Sequence, residues 1–86
     1  MYLSIIIPMY NESGVITTTL DRLRSVTMPR FVTEVEVIIV DDCSTDDSAA
    51  TAEAAIQGFP GARVLRLTAN SGKGSAVAAG VREAKG

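Results

Sequence analysis

Val35-Glu36-Val37-Ile38-Ile39-Val40-Asp41-Asp42-Cys43-Ser44-Thr45-Asp46 is the stretch that decides the fold. Positions 35–40 are dominated by β-branched apolar residues, the composition of a strand buried on both faces, as in parallel sheets. Polar residues follow at once. Ser44 and Asp47 have the spacing of a capping box, with Asp in place of the usual Glu or Gln. An Ala-rich helix is expected from there to about Gln57, where Gly58, Pro60 and Gly61 break it.

The same unit stands on either side. Residues 3–7 form an apolar β-branched run closed by Pro8, which cannot continue a central strand ladder. Ile16, Leu20 and Leu23 then recur at i, i+4 and i+7, a helical stripe, although Thr17-Thr18-Thr19 lowers the intrinsic propensity. Residues 27–33 read as a connection. After the central unit, a strand is expected over 63–68. The turn Asn70-Ser71-Gly72-Lys73-Gly74 follows, then a helix with Val77, Val81 and Ala84 on one side.

Strands alternating with helices predict an α/β fold: a three-stranded parallel, Rossmann-like β-α-β-α-β-α arrangement in the order 3-2-1. Right-handed crossovers gather the three loops that follow the strands at the carboxyl edge of the sheet, where such folds bind ligands. Handedness also puts the first two helices on one face and the third on the other. One face is then half covered and strand one keeps an unpaired edge, which a homodimer through that edge or face would hide. Ending at Lys85-Gly86, close to a helix terminus, the chain reads as a truncated portion of a larger domain.

Composition removes several function classes. At 86 residues, with 47% hydrophobic and 21% charged positions, the chain has the makings of one folded domain with a small core. Eight basic against ten acidic residues leave a net charge of −2, too little positive field for nucleic acid. The absence of histidine excludes a Ser-His-Asp or Cys-His nucleophile and a His-ligated metal within these residues. A single cysteine, Cys43, makes no internal disulfide, and its acidic surroundings do not activate a thiol. The apolar runs fall far short of the roughly 20 residues of a membrane span, and no secretory signal is visible, so a cytoplasmic setting is expected.

Three clusters could carry chemistry. In the first, Pro8, Tyr10 and Glu12 follow strand one: a flat aromatic for a planar base and a carboxylate for its donors. The same segment could instead only start a helix, with Asn11 or Ser13 as its cap. In the second, Asp41 and Asp42 stand together at a strand end, costly unless something offsets their repulsion. By the period of two, Asp41 shares the side of Ile39, pairing an apolar wall with an acceptor, while Asp42 reaches a ribose or braces the turn. Ser44, Asp46 and Asp47 are accounted for by capping. In the third, Lys73 sits among glycines at a helix start, a setting that favours anions. The turn lacks the early glycine and following Ser/Thr of a Walker loop, and Val77 takes the third glycine position of a dinucleotide fingerprint.

Together these blocks resemble the family-two glycosyltransferases of the GT-A type, nearest the branch that loads mannose or glucose onto dolichyl or other polyprenyl phosphates. The matching elements are S-I-I-I-P-x-Y-N-E over 4–12, V-D-D-x-S-x-D over 40–46 and N-x-G-K-G-x-A-x-x-x-G over 70–80. The resemblance implies that Pro8, Tyr10 and Glu12 line the pocket for the base and ribose of a UDP- or GDP-sugar. It implies further that Asp41 or Asp42 binds base or ribose, that Ile39 belongs to the wall, and that Lys73 lies near the diphosphate. The family's Asp-x-Asp and its divalent metal (Mg or Mn) come on a later strand, as do the catalytic base and acceptor site. The 86 residues therefore correspond to the nucleotide-sugar-binding subdomain of an inverting enzyme, inactive alone. The parent could work at the cytoplasmic membrane face on a lipid-phosphate acceptor. The alternative is a non-catalytic doubly wound nucleotide-binding or signalling module. Receiver domains place their acidic pair after strand one, where this chain has Pro8-Met9-Tyr10.

Overall fold

In the computed structural model, residues 1–70 and 72–85 are described; Ser71 of the glycine-rich turn and Gly86 lie outside the described residues. The element order is β1 (Tyr2–Met9), α1 (Ser13–Arg24), β2 (Glu34–Asp41), α2 (Ser48–Ala55), β3 (Ala62–Arg66) and α3 (Lys73–Glu83). The strands form one parallel sheet with β2 in the centre, flanked by β1 and β3. This is the expected α/β arrangement and strand order.

The apolar run of β2 is buried on both sides because both sides are packed. Val37 and Ile39 join Met9, Ile16, Leu20 and Ala52 in a core beneath α1 and α2. Ile38 and Val40 join Ala76 and Ala79 beneath α3. Burial of each such branched side chain contributes on the order of 1.5–3 kcal/mol, which makes β2 the main apolar anchor of the sheet. Ile16 and Leu20 are the buried residues of α1, with Leu23 packed beside them, as their spacing predicts.

Three expectations are corrected. Pro8 does not close strand one, because β1 runs through it to Met9. The Met9 carbonyl accepts the Asp42 N–H at 2.9 Å, so Met9 faces β2. The alternation of a strand therefore points the Pro8 nitrogen outward, away from β2, where a missing N–H removes no ladder bond. The Ser44–Asp47 capping box does not form. Helix α2 starts later, at Ser48, and Asp47 makes no side-chain cap bond. The third correction concerns the buried side of α3. Of Val77, Val81 and Ala84, expected together on one side, Val77 and Val81 are 37% and 60% exposed, whereas Ala84 packs toward the sheet near the buried Ala76, Ala79 and Gly80. Helix and sheet approach so closely that a Cβ on Gly80 would lie 2.5 Å from Ile6 Cγ2 and 3.1 Å from Val40 Cγ2. Valine has no room there, so the small residues take the inner side.

A polar knot closes the amino end of the sheet. Glu36 interrupts the apolar run and is 2% exposed. Its Oε1 accepts the Ser4 hydroxyl at 2.5 Å and the Lys85 N–H at 2.6 Å, while Oε2 meets Arg63 Nη1 at 3.2 Å. A buried carboxylate is tolerable only when bonded in this way. The knot ties β1, β2, β3 and the chain just beyond α3 together.

Candidate functional site

At the carboxyl edge, the loops after β1 and β2 are sewn to each other by side chains. Asn11 accepts the Thr45 N–H at 2.8 Å and the Asp46 N–H at 3.3 Å through Oδ1, and its own N–H donates to Ser44 Oγ at 3.0 Å. The Glu12 N–H donates to Ser48 Oγ at 2.7 Å. Asn11 and Cys43 hold φ of +50° and +59°, left-handed values that non-glycine residues rarely adopt. Such conformations persist where surrounding bonds over-determine them, as they do at Asn11.

The two aspartates part company. Both are buried, at 4% exposure. Asp41 Oδ1 accepts the Ser44 N–H at 3.2 Å and also the Ser44 hydroxyl, so it braces the turn. Asp42 Oδ2 accepts the Gly72 N–H at 2.9 Å across 30 residues of sequence, which ties the second loop to the third. Asp46 accepts the Ser48 N–H at 2.9 Å and the Ser48 hydroxyl. That hydroxyl bond, followed by bonds from the Ser48 backbone and from Ser13, holds the Asp46 carboxyl below its ordinary value of 3.8.

Beside these links an open cavity of about 290 Å³ lies between the β1 and β2 ends and the start of α3. Of the residues singled out in the sequence, Pro8, Tyr10, Glu12, Asp42 and Lys73 all line it. Met9, Asn70, Gly72 and Ala76 line it as well. Tyr10 is 42% exposed, leaving ring surface available to a ligand.

Ile39 and Asp41 do not reach the cavity. The period-of-two reading places them correctly on one side of β2, but that side belongs to α1 and α2, where Ile39 is fully enclosed with Met9 and Ile16. The opening lies on the other side, which Asp42 shares with Ile38 and Val40. Asn70 and Gly72 were legible only as part of a glycine-rich turn; Met9 and Ala76 carried no local signal.

The arrangement offers an aromatic face, two carboxylate acceptors and a lysine at a helix N-terminus where an anion is favoured. Among the described residues, no group of three or more Asp, Glu, Cys or His side chains is arranged to hold a metal ion. No helix of the described chain is long and apolar enough to cross a membrane.

Comparison with known proteins gives the site its context. A mannosyltransferase from Pyrobaculum calidifontis, solved with GDP-Man and Mn2+, superposes with a TM-score of 0.86 at 28% identity, over 96% of this chain and 24% of that one. Staphylococcus aureus TarS residues 1–349, solved with UDP-GlcNAc, also give a TM-score of 0.86, at 36% identity over 100% of this chain and 24% of that one. Both neighbours are GT-A glycosyltransferases. In sequence, a dolichyl-phosphate beta-glucosyltransferase of Dictyostelium discoideum is 35% identical over 100% of this chain and 28% of its own length. An undecaprenyl-phosphate mannosyltransferase of Micrococcus luteus is 39% identical over 90% of this chain and 30% of its own length. The chain thus spans less than a third of these relatives. Residues 4–86 match the glycosyl transferase family 2 profile, and the chain belongs to that family.

Proposed function

We propose that residues 1–86 form the nucleotide-sugar-binding subdomain of an inverting glycosyltransferase that takes its sugar from a UDP- or GDP-sugar. The observation that carries this reading is the meeting of Pro8, Tyr10, Glu12, Asp42 and Lys73 around one cavity from three separate strand-to-helix junctions. Solved relatives holding GDP-Man or UDP-GlcNAc support the ligand class.

In this reading Tyr10 lies against the base. Glu12 and Asp42 accept hydrogen bonds from base N–H groups or ribose hydroxyls, and Lys73 with the start of α3 faces the diphosphate. Ile39 and Asp41 act from behind, Ile39 by packing the strand and Asp41 by bracing the turn that presents Asp42. The sugar then passes to an acceptor such as a polyprenyl phosphate by direct displacement, with inversion. A divalent metal, Mg or Mn, supplies charge neutralisation for the leaving diphosphate in the intact enzyme. No residue described here is assigned to that metal. The 86 residues alone are expected to bind donor without turning it over.

Calorimetric titration of UDP, GDP and ADP into the intact protein tests the nucleotide reading. Binding of UDP or GDP, with ADP at least tenfold weaker, is the expected result. Tyr10→Ala is expected to weaken that binding by about tenfold, since base–aromatic stacking is worth about 1–3 kcal/mol. No binding of either nucleotide would overturn the proposal. Transfer of label from the matching nucleotide sugar to a polyprenyl phosphate tests the acceptor.

A further inference from the structure

We infer that Asn11 is a positioning residue: its side chain latches the β1–α1 loop to the β2–α2 loop and so sets how Tyr10 and Glu12 face Asp42 across the cavity. The inference rests on the nucleotide-binding reading above and adds a determinant of it that never touches the ligand cavity. Tyr10 and Glu12, the neighbours of Asn11 on either side, line the cavity, and Asn11 itself does not. Its Oδ1 receives three donors from the opposite loop, the Thr45 N–H at 2.8 Å, the Thr45 hydroxyl at 3.3 Å and the Asp46 N–H at 3.3 Å. That opposite loop begins at Asp42. The bonds are exposed to water, so their effect falls on geometry more than on stability.

The residue type follows from two separate demands. The backbone stands at φ +50°, which asparagine, aspartate and glycine tolerate better than other residues. The side chain must also place an acceptor oxygen within reach of two consecutive backbone N–H groups. Asparagine and aspartate meet both demands, glycine meets the first alone, and alanine meets neither. The β1–α1 loop has other ties, through the Asn11 N–H to Ser44 and the Glu12 N–H to Ser48. Loss of the side chain therefore loosens the loop without detaching it.

Three variants in the intact protein separate the demands: Asn11→Asp, Asn11→Gly and Asn11→Ala. UDP and GDP serve as probes, with affinity measured by calorimetry, melting temperature recorded in parallel, and amide exchange followed by NMR at Thr45 and Asp46. Asn11→Gly is expected to melt close to the parent, to bind the nucleotide about tenfold more weakly, and to exchange faster at both amides. Asn11→Asp is expected to restore affinity to within about threefold and to restore slow exchange. Asn11→Ala is expected to lose affinity at least as far as glycine and to melt lower. Parent-like affinity in Asn11→Gly, or failure of Asn11→Asp alongside it, overturns the inference. If the parent binds neither nucleotide, the nucleotide reading falls instead. The latch is then judged on the amides of Thr45, Asp46 and Asp42, and unchanged exchange at all three in Asn11→Gly overturns it.

Discussion

The two ends of the sheet use carboxylates in opposite ways. At the amino end Glu36 is buried and its oxygens are spent on Ser4, Arg63 and Lys85, joining every strand to the chain beyond α3. At the carboxyl end Asp42 is equally buried, yet it stands on the wall of a cavity beside the exposed Tyr10 and Glu12. Charge at the amino end is enclosed and structural. Charge at the carboxyl end is supported by a frame of Asp41, Ser44, Asn11 and Asp46, which leaves the cavity-lining groups presented. The contrast teaches that burial and pairing alone do not distinguish a functional acid from a structural one. What distinguishes them is whether the paired acid borders open space.

The largest expected effect lies at the amino end. Glu36→Ala strands donors from Ser4 and Lys85 and is expected to lower unfolding stability by about 3 kcal/mol in a denaturant titration. Nucleotide affinity of the folded fraction should stay as it was. A matching loss of affinity would show that the two ends are coupled through α3.

At the opposite edge, Asp42→Asn should weaken UDP or GDP binding by roughly 30-fold, the scale of one lost charge-assisted hydrogen bond. Its melting temperature should fall less than that of Glu36→Ala. A stability loss as large as that of Glu36→Ala, with affinity intact, would reclassify Asp42 as structural.

Acid offers a third comparison. Asp46 has a folded-state pKa below its ordinary 3.8, held there first by the Ser48 hydroxyl. Its contribution is therefore fully present above about pH 4, and it disappears as pH falls through the folded value. Melting curves of the parent and Asp46→Asn should differ at pH 6 and draw together as pH falls below 3.8. A difference that persists in acid would mean that the Asp46 charge is not what holds the frame.

The smallest effect belongs to Cys43, which holds φ at +59°. Cys43→Gly removes the left-handed penalty of roughly 1 kcal/mol and gives part of it back as unfolded-chain entropy, so a gain of about 0.5 kcal/mol is expected. A clear loss on thermal unfolding would show that the thiol packs usefully in the turn.

Much of the molecule is legible in the amino-acid sequence. The run 35–40 announced a central buried strand, the Ile16-Leu20-Leu23 spacing announced α1, and right-handed crossovers placed the three loops on one edge. The failures have physical causes. Pro8 looks like a terminator until the register shows its nitrogen on the free side of β1, where no ladder bond is lost. Val77 and Val81 look like an inner stripe until Gly80 brings α3 within contact of Ile6 and Val40. Ser44 looks like a helix cap because of its spacing to Asp47, whereas its partners Asp41 and Asn11 come from the end of β2 and from a distant loop.

Residue order alone set the alternation along β2, and with it the certainty that Asp41 and Asp42 lean to opposite sides. Which side stays open is a matter of packing. Helices α1 and α2 close the Ile39–Asp41 side with Met9, Ile16 and Leu20, and the cavity opens on the other side, between the strand ends and the start of α3. A strand's periodicity is a property of its own backbone. An opening exists only where neighbouring elements, distant in the chain, fail to fill the space between them.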